Sequence, residues 1–230
     1  MKLSIIVPVY NEEKTIATIL KRLISVKLGV SKEIIIIDDG SKDKSLERIN
    51  LFKDNKKKDI SVKIVSKTNR GKGSAIREGI KIATGEIITI QDADLEYDPS
   101  DYLKLIEEIK KGHLVVYGSR FLKKHKPLYK IYFYGNKFLT FLTQVLYNSK
   151  ITDMETCYKM FKKEVIKSLS LNSNGFEIEP EITAKILNKG IIIKEVPIKY
   201  SPRNIKEGKK INWIDGLQAI ILLIRMRFKD

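Results

Sequence analysis

The chain has 230 residues, 43% hydrophobic and 31% charged, enough to bury a full core and too ordinary a mixture for a disordered or membrane-spanning protein. Its formal net charge of +16 calls for solvent or an anionic partner: nucleic acid, a membrane surface or a phosphorylated substrate. Cys157 is the only cysteine, which excludes an internal disulfide and a thiolate metal cluster.

In chain order, the apolar run Leu3 to Val9 reads as a strand, and Glu12 to Leu28 has apolar residues at helical spacing behind Asn11 as a candidate N-cap. Glu33 to Ile37 is a second strand, and Lys44 to Phe52 a second helix with Asp43 as its candidate cap. Lys56, Lys57 and Lys58 then mark a solvated loop. Strands Ser61 to Val65, Glu86 to Ile90 and Leu114 to Tyr117 alternate with helices Gly73 to Ala83 and Ser100 to Lys111. This order predicts an α/β fold with a mainly parallel central sheet and helices on both faces, whose ligands bind beyond the carboxyl ends of the strands. No repeat or low-complexity linker interrupts it. The expected organisation is one domain over residues 1–200 and a C-terminal extension over 201–230. No apolar run approaches the roughly 18 residues that cross a bilayer, and Met1 to Pro8 leads straight into a strand, so a cytoplasmic location without secretion is expected.

The strand ends carry the chemistry. Gln91-Asp92-Ala93-Asp94-Leu95-Glu96 follows a buried strand and delivers two carboxylates one residue apart, a pattern suited to a divalent cation and a diphosphate; an acidic turn capping the next helix is the plainer alternative. The first strand ends in Pro8-Val9-Tyr10-Asn11-Glu12 and the second in Asp38-Asp39-Gly40-Ser41. A tyrosine ring can flank a nucleobase, and carboxylates can accept hydrogen bonds from base N–H or ribose hydroxyl groups. Each segment alone reads equally well as a turn or a helix start. On one rim, they make a nucleotide pocket. Asn69-Arg70-Gly71-Lys72-Gly73-Ser74 adds a basic, glycine-rich turn before a helix, without the spacing of a P-loop.

These segments, together with Gly118-Ser119-Arg120-Phe121 and Thr152-Asp153-Met154-Glu155-Thr156-Cys157-Tyr158-Lys159, resemble the motifs of family 2 glycosyltransferases with the GT-A fold. The later two look like the branch that includes the polyprenyl-phosphate (dolichyl-phosphate) mannose and glucose synthases. Glu96 departs from the glutamine common in that branch, and Thr156-Cys157-Tyr158 from its common Ser-Gly-Phe or Cys-Gly-Phe.

The resemblance implies inverting, metal-dependent transfer of a hexose from GDP-mannose or UDP-glucose. Pro8, Tyr10, Glu12, Asp39, Lys72 and Asp92 are then the nucleotide-sugar residues. Asp92 and Asp94, with Glu96 in the third family position, become the ligands of Mg²⁺ or Mn²⁺; His113 and His125 lack zinc-like spacing. Arg120 and Arg203 match positions that contact an acceptor phosphate, with Lys130 as a third candidate. A lipid monophosphate is already ionised and needs holding in line, whereas a sugar hydroxyl needs a base. Asp94 and Asp153 are the catalytic candidates, Asp153 as positioner or as base.

Two segments suggest contact with a lipid surface. Tyr129 to Tyr147 is dense in aromatics, with Tyr132, Phe133, Phe138, Phe141, Leu142, Val145 and Leu146, and follows Lys123, Lys124 and Lys126. Trp213 to Phe228 is read as an amphipathic helix with Ile214, Leu217, Ile220, Ile221 and Ile224 on one side, closed by Arg225, Arg227 and Lys229. Packing of both on the core or on a partner subunit is the alternative. The expected enzyme is thus a polyprenyl-phosphate hexosyltransferase on the cytoplasmic face of an anionic membrane. A saccharide hydroxyl acceptor, a nucleotide-sugar sensor and a basic nucleic-acid-binding module are the competing readings; carboxylates at the strand ends argue against nucleic acid.

Overall fold

The computed structural model describes residues 1–54, 59–123, 129–203 and 213–228. Lys56 to Lys58, Lys124, His125, Lys126 and Lys229 lie outside the described residues. The first half runs β1 (Lys2–Val9), α1 (Ile16–Ser25), β2 (Ser31–Asp38), α2 (Ser45–Asn50), β3 (Ile60–Ser66), α3 (Lys72–Ile82), β4 (Ile87–Ile90), α4 (Tyr102–Lys110) and β5 (Val115–Ser119). The second half adds α5 (Lys130–Tyr147), β6 (Lys159–Lys162), α6 (Lys163–Lys167), α7 (Ile178–Asn188), β7 (Ile193–Pro197) and α8 (Trp213–Phe228).

Seven strands form one sheet in the order β3-β2-β1-β4-β6-β5-β7. The strands β3, β2, β1 and β4 pair in parallel, and β2 presents Ile34 to Ile37 fully buried, as a strand covered on both faces must. Helix α1 forms because Ile16, Ile19, Leu20 and Leu23 recur at the helical period; all four are buried, each worth roughly 2 kcal/mol in removed apolar surface. It starts later than expected. Asn11 does not cap it: Asn11 takes a left-handed turn, φ 50°, and its Oδ1 accepts from Lys42 N at 2.8 Å. Asp43 does serve α2, accepting from Ser45 N at 2.9 Å.

The sheet is not parallel throughout. The strand β6 inserts between β4 and β5, antiparallel to both, while β7 pairs in parallel with β5. Four residues, Lys-Met-Phe-Lys, give too short an alternation to announce a strand. Its direction matters for the site: an antiparallel strand begins on the rim where its neighbours end. The segment before β6 and the segment after β7 therefore both lie at the carboxyl rim of β4 and β5.

A smaller apolar cluster of Leu139, Ile151, Met154, Ala184, Ala219 and Leu223 joins α5, α7 and α8. Tyr147 Oη donates to Leu223 O at 2.8 Å and Asn188 Nδ2 to Met226 O at 3.0 Å. Helix α8 thus packs through Ala219 and Leu223, with Ile220 partly buried against them, while Ile214, Leu217, Ile221 and Ile224 stay exposed. It is apolar on two sides, and only one is used by the core. Helix α5 does the same, burying Leu139 and leaving Phe138, Phe141 and Val145 exposed. No helix among the described residues is long and apolar enough to cross a membrane.

Candidate active site

A cavity of about 430 Å³ opens at the carboxyl rim of the sheet. Pro8, Tyr10 and Glu12 reach it from the end of β1, Asp39 from the end of β2, and Lys72 from the start of α3. Asp92, Asp94 and Glu96 come from the turn after β4, Arg120 from the end of β5, and Arg203 from the segment after β7. Two expected residues are placed otherwise. Lys130 is exposed at the start of α5 and does not line the cavity, and Asp153 is fully buried against Arg120.

Asp39 organises the nucleotide side. Its carboxylate accepts from Gly71 N at 2.7 Å and Arg70 N at 3.1 Å, and it pairs with Lys67. The glycines of that turn answer to a second need. Gly71 has φ 97°, and a Cβ there would stand 2.5 Å from Asn174 O; a Cβ on Gly73 would stand 2.5 Å from Ser173 O. Gly73 N and Ser74 N donate to Gly175 O and Asn174 O. Two first-turn amides of α3 are therefore occupied by the 173–175 loop, which Glu181 and Glu177 pin through its backbone N–H groups. Of this turn, Asn69, Gly71 and Lys72 reach the cavity, while Gly73 packs against protein.

Lys72 sits between Asp92, at 2.8 Å, and Glu179, at 3.1 Å. Burial alone would lower its proton affinity, but the two carboxylates outweigh that and hold it well above the usual lysine range. Conversely, Lys72 overcomes the burial of Asp92 and keeps that carboxyl below its usual range. Beneath the acidic turn, Tyr97, Tyr158 and Tyr102 stack at centroid spacings of 4.8 and 4.6 Å. Tyr102 and Tyr158 both donate to Gln91 Oε1, at 3.0 and 2.8 Å. On the turn above them, Leu95 takes φ 66°, a left-handed conformation that side-chain-bearing residues seldom adopt.

Arg203 spans the acidic groups. Its Nη2 donates to Asp94 at 3.0 Å, its Nη1 to Glu12 at 3.2 Å, and its backbone N to Glu96 at 2.9 Å. Tyr200 Oη donates to Glu96 at 3.0 Å, so the strap that follows β7 is fastened to the turn that follows β4. Arg203 Nε is buried and makes no hydrogen bond to any described residue, with Glu96 Oε1 3.8 Å away. Across the cavity floor, Arg120 is held by Asp153: Nε and Nη2 donate to its two oxygens at 2.7 Å each, and Arg120 N donates at 2.9 Å.

Two acidic residues of the site were given no role from sequence. Glu179, on α7, binds Lys72 and Lys159; in sequence nothing sets it apart from Glu181 two residues on. Glu155 lines the cavity two residues beyond Asp153. The alternation of Asp153 and Glu155 is plain in the sequence, but neither the short strand that follows nor its direction is.

The chemistry of a divalent cation can be tested against these residues. Among the described residues, no three His, Cys, Asp or Glu side chains converge as a metal cage. The expected trio is divided, with Asp92 facing Lys72 while Asp94 and Glu96 face Arg203. A cation that arrives with a diphosphate needs only one or two carboxylates, the phosphates supplying the remaining oxygens. Asp94 fits that demand: burial and the neighbouring charges of Asp92 and Glu96 push its carboxyl up to about 7, against the pull of Arg203. A dication would relieve this excess of negative charge, and only hard oxygen donors stand on the turn.

The profile described as Glycosyl transferase family 2 matches residues 4–170. The chain is 31% identical over 214 residues to a dolichol-phosphate mannosyltransferase of Pyrococcus furiosus, covering 91% of this chain and 59% of that protein. It is 26% identical over 201 residues to the glycosyltransferase AglJ of Haloferax volcanii, covering 86% of this chain and 63% of that one. The chain thus spans less than two thirds of the length of these two relatives. In fold it is similar to glucosyl-3-phosphoglycerate synthase from Mycobacterium tuberculosis, solved with Mn²⁺, UDP and phosphoglyceric acid. The TM-score is 0.75 at 17% identity, covering 99% of this chain and 78% of the other. The same synthase has also been solved with Mg²⁺ and UDP.

Proposed function

The chain belongs to glycosyl transferase family 2 and is a glycosyltransferase; we propose that it transfers mannose or glucose, from GDP-mannose or UDP-glucose, to a polyprenyl phosphate. The observation that carries this reading is the presence in one cavity of a nucleotide side, Tyr10, Asp39 and Lys72, and of two largely buried arginines, Arg120 and Arg203. Guanidinium groups suit phosphate oxygens in direction as well as charge. The Nε of Arg203, without a hydrogen-bond partner among the described residues, is the kind of donor an anionic ligand would complete. The name of the Pyrococcus relative supports a lipid phosphate acceptor.

In this scheme Tyr10 and Asp39 hold the nucleoside, and Lys72 keeps Asp92 ionised beside the diphosphate. Asp92 and Asp94 would hold Mg²⁺ or Mn²⁺, which when bound would neutralise charge on the departing diphosphate. Arg120 and Arg203 aim an acceptor phosphate oxygen at C1 of the sugar. The new C1–O bond forms as the bond to the diphosphate breaks on the opposite face, which inverts the anomeric centre. Outside the cavity, the exposed apolar residues of α5 and α8, with Arg225 and Arg227, suit the surface of an anionic membrane on its cytoplasmic side.

The test is a panel of nucleotide sugars with Mn²⁺, each offered a short polyprenyl phosphate or simple saccharides. Turnover with the lipid phosphate and not with the sugars is the expected result. Turnover confined to saccharides overturns the acceptor assignment.

A further inference from the structure

The loop that seats the start of α3 carries chemistry of its own at Asn174-Gly175. Arg77, on α3, donates from Nη2 to Asn174 Oδ1 at 2.5 Å. A guanidinium has only N–H donors, so the atom that meets it is the amide oxygen, and the amide nitrogen of this exposed side chain is left free of it. Glu177 Oε1 accepts from Gly175 N at 2.9 Å and from Asn174 N at 3.1 Å. Only glycine admits a carboxylate so close to that nitrogen: a Cβ on Gly175 would stand 2.5 Å from Glu177 Oε2.

Arg77 is short of an acid. Its Nη1 donates to Leu171 O at 3.2 Å, its Nε is buried without a hydrogen bond, and among the described residues it pairs with no carboxylate. A partly buried guanidinium that faces a neutral amide gains charge pairing when that amide becomes a carboxylate.

We propose that Asn174 is a self-modifying site, where the side-chain amide is lost and the main chain is rerouted through the side chain, and that this change disables the donor side of the cavity. In the first step Gly175 N bonds to Asn174 Cγ while Glu177 receives its proton, and the charge developing on Oδ1 faces Arg77. The Cγ–Nδ2 bond then breaks, and the amine takes the proton from Glu177 and leaves as ammonia, which gives a cyclic imide. Water opens the imide at either carbonyl. Opening at the main-chain carbonyl leaves an isoaspartyl linkage, with an extra carbon in the main chain; opening at Cγ leaves an ordinary aspartate. The sum is amide plus water to carboxylic acid plus ammonia.

The extra carbon has no room. Asn174 O accepts from Ser74 N, and a Cβ on Gly71 would already stand 2.5 Å from it, while Gly175 O accepts from Gly73 N. Phe176, the next residue, lines the cavity with Lys72 Nζ 5.9 Å from its ring centre. Rerouting the chain at Asn174 therefore moves the seat of Gly71 and Lys72. This consequence, unlike the chemistry, rests on the donor site proposed above.

The experiment ages the full chain in warm, mildly alkaline buffer, as wild type, as Glu177→Gln, which keeps a hydrogen-bond acceptor and removes the base, and as Arg77→Met. Peptide mapping follows isoaspartate at Asn174, with Asn148 and Asn172, both exposed and followed by serine, as internal controls. The wild type should gain isoaspartate at Asn174 well ahead of the controls, and each variant should do so at least about tenfold more slowly. An Asn174 that stays intact in the aged wild type overturns the proposal, and that result stands whatever the stability of the variants. An unchanged or faster rate in either variant also overturns it, since only the ordinary lability of an Asn-Gly pair would remain. Calorimetry with Mn²⁺ and GDP-mannose or UDP-glucose reads the consequence. The isoaspartyl fraction should bind about tenfold more weakly than fresh protein, whereas Asn174→Asp, whose main chain is unaltered, should bind as the wild type does. Equal binding by the isoaspartyl fraction overturns the link to the donor side. A fresh wild type that binds neither donor sinks the donor reading alone, and the mapping still decides the modification site.

Discussion

Asp153 and Arg120 form a closed, fully buried pair: two side-chain hydrogen bonds of 2.7 Å and one from the Arg120 backbone at 2.9 Å use both carboxylate oxygens. Removing one member strands a charge in the interior. Asp153→Ala should destabilise the protein by about 3–5 kcal/mol, while the apolar double variant Arg120→Met with Asp153→Leu should recover most of that loss. Neither should transfer sugar. Denaturant midpoints and transfer rates, measured on the same preparations, check both halves; recovery of transfer in the double variant would remove Arg120 from the acceptor site.

Asp94→Asn should abolish transfer without lowering Tm. The native carboxyl is disfavoured by burial, Asp92 and Glu96, so a neutral amide relieves repulsion even as it gives up charge pairing with Arg203. EDTA should act on the wild type as the substitution does. Calorimetric Tm and transfer with and without Mn²⁺ are the measurements; activity retained in EDTA would count against the cation.

Arg203→Ala separates donor from acceptor. The arginine contacts Glu12, Asp94 and Glu96, so its loss leaves the acidic groups unneutralised and should not weaken binding of a donor that carries Mn²⁺. Transfer to lipid phosphate should drop at least about tenfold. Donor Kd by calorimetry beside kcat distinguishes the outcomes: parallel losses would assign Arg203 to the diphosphate of the donor.

Acid stability should depend on Glu33. Burial raises its pKa, but Lys63, Ser4 and Thr84 outweigh that and bring it from 4.5 to about 2. Because the folded-state pKa is depressed, the contribution is complete above the unfolded value and is lost as pH falls from about 4.5 towards 2. Allowing for solvent screening of the exposed Lys63, roughly 2 kcal/mol should disappear in that window. Urea midpoints across it should fall steeply in wild type and less in Glu33→Gln.

The outer face of α8 can be tested without disturbing its inner face. Leu217 and Ile221 are 47% and 57% exposed, whereas Ala219 and Leu223 pack against α5 and α7. Leu217→Glu with Ile221→Glu should leave Tm nearly unchanged and reduce sedimentation with anionic vesicles about tenfold or more. Unaltered sedimentation would remove this face from the membrane proposal.

The sequence by itself determined the alternating half of the fold and the rim residues that end its parallel strands. Runs such as Ile34 to Ile37 are apolar over a whole strand, and Asp39, Asp92 and Asp94 follow such runs directly, so local periodicity placed them. Only the tertiary structure decided what those carboxylates face. The direction of β6 brings Asp153 and Glu155 to the same rim, and β7 brings Arg203 across 109 residues of chain to Asp94. It also turned the glycines of the α3 start towards a loop about a hundred residues away, and showed α8 to be apolar on two sides. These facts have one physical cause: a short antiparallel strand and a long-range ion pair are chosen by packing and charge between distant segments, which leave no period in the local sequence.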